Sequence, residues 1–255
     1  MSRDAAEFGI VTSRYAVFYA PSPDSALWAF GSGLIGYDAE SGASLPCPEG
    51  LPCPPAEWRA LTEEPRRYGF HGTLKAPFSL AGGSADSDLV TAARDFASGR
   101  SAFDLPGLDV VTIGAFTALA PTSRSNALED LAADSVRAFE PFRAPLSAAD
   151  RERRLRAPLS GRQIGHLDRW GYPYVFDEFR FHMTLTGPLP DRLREPVRAS
   201  LQQRYAALRP GLRVDAVAIF RQPDRAGPFR VLARLPFGGP PVSYISPGRP
   251  PPAAS

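Results

Sequence analysis

Phe70–Pro77 (FHGTLKAP) and Phe181–Pro188 (FHMTLTGP) are two copies of one pattern, Phe-His-x-Thr-Leu-x-x-Pro, in a chain of 255 residues. The chain has only 3 histidines, and two of them, His71 and His182, occupy the same position in the two copies. Histidine titrates closer to neutral pH than other unperturbed side chains, so its repeated placement favours acid–base chemistry. The repeat therefore predicts both a duplicated structural unit and a site to which both copies contribute.

Each copy is predicted to be a β-strand, over about residues 69–78 and 179–186. Alternate side chains of a strand share a face, so His71, Thr73 and Lys75 are expected to project together from the first copy. By the same rule the second copy groups four polar residues on one face: Arg180, His182, Thr184 and Thr186. Each copy is thus expected to present an imidazole, a hydroxyl and a cation.

The order of predicted elements repeats as well. Around each motif strand, turn residues and hydrophobic periodicity predict strand, helix, strand, strand, which indicates two related lobes of an α+β protein. The other predicted strands lie at 14–20, 103–105, 108–119, 212–221 and 229–235, and the predicted helices at about 22–34, 55–64, 86–98 and 191–208.

The domain organisation is predicted from composition. Residues 14–236 are expected to form one bilobal domain, between a flexible N-terminus (1–13) and a disordered tail rich in Pro, Gly and Ser (237–255). A helical insert at about 125–170 separates the halves and is rich in arginine around Arg151–Arg156 (RERRLR). Such a run is usually a solvated helix face, and the alternative is a basic cover over an anionic substrate.

Composition excludes some classes of function. The net charge is only +2, from 29 basic and 27 acidic residues, so any recognition of an anion must be local. Lys75 is the only lysine and lies inside the first copy of the repeat. Cys47 and Cys53 lie in a Pro/Gly-rich stretch and are expected to be free thiols.

The chain is expected to be cytoplasmic and without a membrane partner. No apolar run approaches the roughly 20 residues that span a bilayer. The first residues also lack the apolar core of a secretory signal.

A cleft between the two polar faces would suit a phosphodiester. Hydroxyl, lysine and arginine donors can hold the non-bridging oxygens. One imidazole can act as a base on the attacking water or hydroxyl, and the other as an acid on the leaving oxygen. This scheme requires no metal and no cofactor, and it leaves open which histidine is the base.

The two H-x-T motifs, each on a predicted strand followed by a helix, resemble the two-histidine (2H) phosphoesterase superfamily. That superfamily includes 2′-5′ RNA ligase-like proteins and cyclic nucleotide phosphodiesterases. The segments RYAVFYAP (Arg14–Pro21), YGFHGTLKAPF (Tyr68–Phe78) and WGYPYVFDEFRFHMTLTGPL (Trp170–Leu189) resemble the branch found in phosphonate-utilisation operons. The resemblance covers residues 14–236.

The resemblance implies a bilobal, pseudo-twofold α+β fold, with antiparallel sheets lining a central cleft and helices outside. It also implies a metal-independent phosphodiesterase for a small, often cyclic, phosphodiester metabolite. His71 and His182 match the catalytic histidines of the superfamily, and Thr73 and Thr184 match its phosphate-binding hydroxyls. Strand parity and adjacency to the motif add three candidate substrate ligands: Lys75, Arg180 and Tyr68.

Three alternatives remain at the level of sequence. The first is RNA end-processing or ligase-like activity, for which RNA would be the partner in place of a small phosphorylated substrate. The second is a phosphometabolite-binding protein without turnover. The third is a metal hydrolase that uses His71, His182, His166 and a carboxylate, although the familiar ligand spacings are absent. The oligomeric state does not follow from the sequence.

Overall fold

The computed structural model describes residues 13–208, 211–238 and 243–244, and shows a mixed α+β fold with antiparallel sheets. The strands are β1 (Arg14–Tyr19), β2 (Gly72–Ser79), β3 (Phe103–Leu105), β4 (Leu108–Ile113), β5 (Phe116–Pro121), β6 (Met183–Thr184), β7 (Leu212–Val214), β8 (Ala216–Gln222), β9 (Arg230–Pro236) and β10 (Ser243–Tyr244). The α-helices are α1 (Ala26–Ile35), α2 (Pro55–Leu61), α3 (Glu63–Tyr68), α4 (Asp86–Ser98), α5 (Asn126–Ala138), α6 (Ala148–Leu155), α7 (Gly161–Trp170) and α8 (Asp191–Leu208).

The predicted helices are confirmed, with two corrections. Helices α4 and α8 begin and end at the predicted residues. Helix α1 starts later than expected, because its N-cap is Ser25, whose hydroxyl accepts a hydrogen bond from the amide of Trp28. The helix expected over 55–64 is two helices that meet at Thr62. Pro65 lacks the amide hydrogen that a continuous helix would use there.

Several predicted strands are shorter or divided. The strand expected over 108–119 is the hairpin β4–β5, which turns at Gly114 with φ of 58°, in the left-handed region. The second motif strand is only Met183–Thr184, because the amides of Leu185 and Thr186 both donate to the carbonyl of Thr117 instead of continuing the ladder. Of the tail expected to be disordered, only residues 237–238 and β10, which pairs with β9, are described, and the rest lies outside the described residues. The predicted flexible N-terminus lies outside the described residues except for residue 13.

One eight-stranded sheet holds the two motif strands at its centre. Its order is β10-β9-β8-β1-β2-β6-β5-β4, and a separate pair joins β3 to β7. All of these pairings are antiparallel. Segments that are more than a hundred residues apart in the sequence, β2 and β6, are therefore direct neighbours.

The two faces of the sheet have different surroundings. The larger apolar core contains Tyr15, Val17 and Tyr19 of β1 together with buried residues of α4, α5 and α8. The opposite face carries a smaller cluster around Phe18, Phe220 and Phe229. The smaller cluster forms the floor beneath His71. Among the described residues, no helix combines the length and the hydropathy that a membrane crossing requires.

Candidate functional site

The pairing of β2 with β6 joins the two H-x-T triplets at their middle residues, because Gly72 lies opposite Met183. In an antiparallel pair this register sets His71 beside Thr184 and Thr73 beside the second histidine. Side chains alternate between faces, so all four polar side chains project from the same face of the sheet. The imidazole of each copy therefore lies next to the hydroxyl of the other copy.

Both histidines are oriented by the same local hydrogen bond. His71 Nδ1 lies 2.8 Å from the carbonyl oxygen of Gly69, and His182 Nδ1 lies 2.8 Å from that of Arg180. A carbonyl oxygen only accepts, so Nδ1 carries the proton in the neutral ring and Nε2 keeps its lone pair. His71 Nε2 is 3.2 Å from Thr73 Oγ1, so the Thr73 hydroxyl donates to it.

The surroundings of His71 keep its ring neutral. The imidazole stacks on Phe18 with ring centroids 3.7 Å apart. Burial lowers the pKa of His71 to about 4, the Gly69 carbonyl acts in the opposite direction, and the nearby His182 lowers the pKa further. At neutral pH the Nε2 atom of His71 is therefore a proton acceptor.

A cavity of about 420 Å³ lies over this face of the sheet. The motif residues His71, Thr73, Thr184 and Thr186 line it. His182 is not among the lining residues, but its ring lies 5.7 Å from that of Phe116, which does line the cavity. The volume is within the usual range for a small-molecule site.

Residues outside the four polar motif positions also line the cavity. Tyr68, a predicted ligand, lines it together with Arg14, Arg153, Arg154, Tyr172 and Glu64. Arg14 is brought there by the pairing of β1 with β2, for which the sequence carries no local signal. Arg153 and Arg154 belong to the RERRLR run of α6, whose alternative interpretation as a basic cover was the available signal.

Two predicted ligands lie elsewhere. Lys75 Nζ is buried, 2.8 Å from Glu140 Oε2 and 3.0 Å from the carbonyl oxygen of Val136. The β1–β2 register is irregular: Val17 pairs with Lys75, and its neighbour Phe18 pairs with Thr73. Because of this bulge, Lys75 does not project from the same face of the sheet as Thr73. Arg180 is exposed and does not line the cavity. The proposed contacts of these two residues with substrate remain predictions.

The third histidine lies outside the cavity. His166 is on α7, and its Nε2 is 3.0 Å from Asp177 Oδ1. In the described part of the chain, no group of three or more His, Cys, Asp or Glu side chains is arranged to hold a metal ion.

Comparison with known proteins gives two kinds of match. The model of a family described as "Protein of unknown function (DUF1045)" matches residues 73–230. The chain is also 35% identical over 232 residues to a ribose 1,5-bisphosphate phosphokinase PhnN of Janthinobacterium sp. (strain Marseille), with 89% of this chain and 51% of the relative covered. It is 36% identical over 225 residues to the phosphokinase of the same name from Laribacter hongkongensis (strain HLHK9), with 87% of this chain and 51% of the relative covered. The chain spans about half the length of these curated relatives.

These names correct the predicted reaction. A phosphokinase transfers a phosphoryl group, so the prediction of a phosphodiesterase, and with it of a phosphoric diester hydrolase, is wrong. Hydrolysis and transfer both require donors that hold phosphate oxygens and a group that moves a proton. The pair of H-x-T motifs therefore does not distinguish between the two reactions.

The resemblance to the 2H superfamily remains a prediction, because neither the family description nor the names of the relatives refer to it. The match of the family model, by contrast, covers more than half of the 255 residues. The chain therefore belongs to the DUF1045 family of proteins of unknown function.

Proposed function

We propose that this chain binds the phosphorylated pentose of the phosphokinase reaction for which its relatives are named, and that the cavity over the H-x-T strands is the binding site. The observation that carries the proposal is the convergence of His71, Thr73 and Thr184 with the guanidinium groups of Arg14 and Arg154 on one cavity. Hydroxyls, imidazoles and guanidinium groups are the side chains that bind phosphate oxygens.

The neutral ring of His71 suits a phosphate monoester, whose second pKa is about 6. In the monoanion, the remaining P–OH group can donate to Nε2 of His71. In the dianion, the added charge raises the pKa of the imidazole, which then donates as imidazolium. Either way a proton is shared between His71 and the phosphate, which displaces the Thr73 hydroxyl from Nε2, and the hydroxyls of Thr73 and Thr184 donate to other phosphate oxygens.

We also propose a pseudo-twofold relation between the two halves. The sheet order β8-β1-β2-β6-β5-β4 supports it, because β2 and β6, β1 and β5, and β8 and β4 lie at equal distances from the centre. The hydroxyl oxygens of Ser25 and Ser125 cap α1 and α5 in the same way, by accepting hydrogen bonds from the amides of Trp28 and Leu128. This arrangement is the one that the resemblance to the 2H superfamily implies.

The nucleotide that a phosphokinase uses is not part of the proposal for this chain. The sequence contains no G-x-x-x-x-G-K-[ST] segment, because its only lysine, Lys75, follows Leu74. That segment is the loop with which many nucleotide-binding proteins hold phosphates. The proposal therefore assigns the pentose phosphate to this chain, and the relatives are about twice as long as the matched part.

Calorimetry with ribose 1,5-bisphosphate, ribose 5-phosphate and ribose tests the proposal. We expect the phosphorylated sugars to bind and ribose not to bind. Thr73→Val and Thr184→Val keep the side-chain shape and should each weaken binding about 10-fold or more, because each removes a hydrogen bond to a charged group. Thr112→Val, at an exposed position of β4, is the matched control and should leave the affinity unchanged. Absence of binding by the parent chain would overturn the proposal.

A further inference from the structure

Three arginines, Arg14, Arg153 and Arg154, line both the cavity and an adjoining groove. His71, Thr73 and Thr184 line the cavity alone. The arginines therefore occupy the end of the cavity that faces the groove, and the H-x-T side chains lie away from it.

Arg14 and Arg154 form no ion pair within the described residues. Arg14 Nε donates to Gln222 Oε1 at 2.7 Å, and Arg154 Nε is buried without a hydrogen-bond partner. The neighbouring Arg153 differs, because it pairs with Asp150 at 2.7 Å. A second guanidinium, that of Arg225, shares the same carboxylate at 3.0 Å. Arg14 and Arg154 thus have no described carboxylate within ion-pair distance, and Asp150, which attracts Arg154 from farther away, is already paired with Arg153 and Arg225.

Aromatic rings hold both guanidinium groups in place without neutralising them. Arg14 lies 5.4 Å from the ring centroid of Phe229, and Arg154 lies 5.2 Å from that of Tyr172. Tyr68 stacks on Phe229 with centroids 5.4 Å apart. Burial lowers the pKa of both arginines, because desolvation disfavours their charge. An anion bound between them would favour the charged forms again.

The separation along β1 distinguishes this pair from the H-x-T set. Phe18 stacks on His71, and Arg14 lies four residues earlier on the same strand. At about 3.3 Å per residue, the Cα atoms of Arg14 and Phe18 are roughly 13 Å apart. This separation of the strand positions leaves room for two anionic groups of one small molecule.

We propose that Arg14 and Arg154 form a second anion subsite, which binds one phosphate of a pentose bisphosphate while the H-x-T side chains bind the other. The inference rests on the proposed function and adds to it a preference for bisphosphates over monophosphates. Guanidinium groups suit this role, because their planar donors bind phosphate through two hydrogen bonds at once.

The test compares the dissociation constants of ribose 1,5-bisphosphate and ribose 5-phosphate by calorimetry. In the parent chain we expect the bisphosphate to bind at least about 10-fold more tightly, which is the effect of one charge-assisted hydrogen bond or more. In Arg14→Gln and Arg154→Gln that preference should fall to less than about 3-fold. Arg151→Gln is the matched control, since Arg151 is on the same helix but pairs with Asp168 on the exposed surface, and the preference should persist.

Folding is checked by thermal unfolding of each variant. Arg154→Lys keeps the positive charge but lacks the planar guanidinium with its paired donors. If Arg154→Gln does not fold, Arg154→Lys is measured in its place. The lysine variant should show a preference between those of the parent and of the Gln variants. Loss of preference in a variant with the parent's melting temperature supports the subsite.

The outcomes separate this inference from the function on which it rests. An equal affinity of the parent for both sugars, or an unchanged preference in both Gln variants, overturns the second subsite alone, provided that Thr73→Val still weakens binding. Failure of both sugars to bind the parent overturns the proposed function together with this inference.

Discussion

His71 and His182 each donate a hydrogen bond from Nδ1 to the carbonyl oxygen two residues earlier. Each ring is therefore oriented by the backbone of its own segment. The spacing of the motif is visible in the sequence, and the hydrogen bond is local, so this part of the site follows from a few residues. The low pKa of His71 does not follow from them, because Phe18, which stacks on the ring, comes from another strand.

The pH dependence of stability tests the environment of His71. Its pKa is about 4 in the folded chain, against an ordinary value of 6.5. Between these values the unfolded chain binds a proton that the folded chain does not, so stability is complete above about pH 6.5 and is lost as the pH falls towards 4. The loss amounts to about 3 kcal/mol at most.

His71→Asn removes this titration. Urea unfolding at several values between pH 7.5 and 4.5 should therefore show a steeper loss of stability in the parent than in the variant. Parallel curves would mean that His71 titrates normally in the folded chain.

At the scale of elements, both motif phenylalanines pack against glycines. Phe70 lies against Gly31 of α1, and Phe181 lies against Gly72 of β2. The Phe in each copy of the repeat therefore anchors the motif strand to a neighbouring element where no side chain intervenes. The second motif strand is short because the amides that would have extended it donate to the carbonyl oxygen of Thr117. Thr117 is far away in the sequence, so the pattern of the strand itself does not predict these hydrogen bonds.

Two glycines of α1 give a matched pair of substitutions. A Cβ at Gly31 would lie 2.2 Å from ring atoms of Phe70, whereas a Cβ at Gly33 would have nothing within 4 Å. Gly31→Ala should lower the free energy of unfolding by about 1–3 kcal/mol through overpacking. Gly33→Ala should raise it by up to about 1 kcal/mol, because alanine favours the helix. Chemical denaturation of both variants checks the difference, and equal effects would contradict the close packing of Phe70.

At the scale of the whole molecule, the site depends on contacts between distant segments. The β2–β6 pairing unites the two repeat copies, β1 contributes Arg14, and α6 contributes Arg154. The ion pair of Lys75 with Glu140 connects the central strand β2 to the turn that follows α5. The single lysine of the chain thus joins the sheet to the helical segment.

Substitutions of this ion pair separate a structural role from ligand binding. Lys75→Met should change stability by less than about 1 kcal/mol, because Glu140 keeps Arg143 at 2.6 Å. Glu140→Gln should cost about 3 kcal/mol, since it leaves a buried ammonium without its counter-charge. The affinity for ribose 5-phosphate should stay within about twofold in Lys75→Met. A tenfold loss there would show that the ammonium reaches the ligand, as strand parity predicted.

The sequence alone determined the α+β class and the bounds of α4 and α8, and it predicted that the two histidines and two threonines of the repeat lie together. Each of these features depends on periodicity, capping residues or spacing within one segment, and such local patterns can be read directly from the sequence. The same patterns did not identify the reaction, because hydrolysis and phosphoryl transfer use the same oxygen-binding side chains.

Only the tertiary structure decided which cations line the cavity. An irregular register between β1 and β2 accompanies the pairing of Lys75 with Glu140, while strand pairing and the fold of α6 bring in Arg14 and Arg154. Contacts of this kind join residues that are far apart in the sequence, and their geometry depends on the register and packing of whole elements. The repeat therefore determined where an anion is expected, and the fold decided which charges surround it.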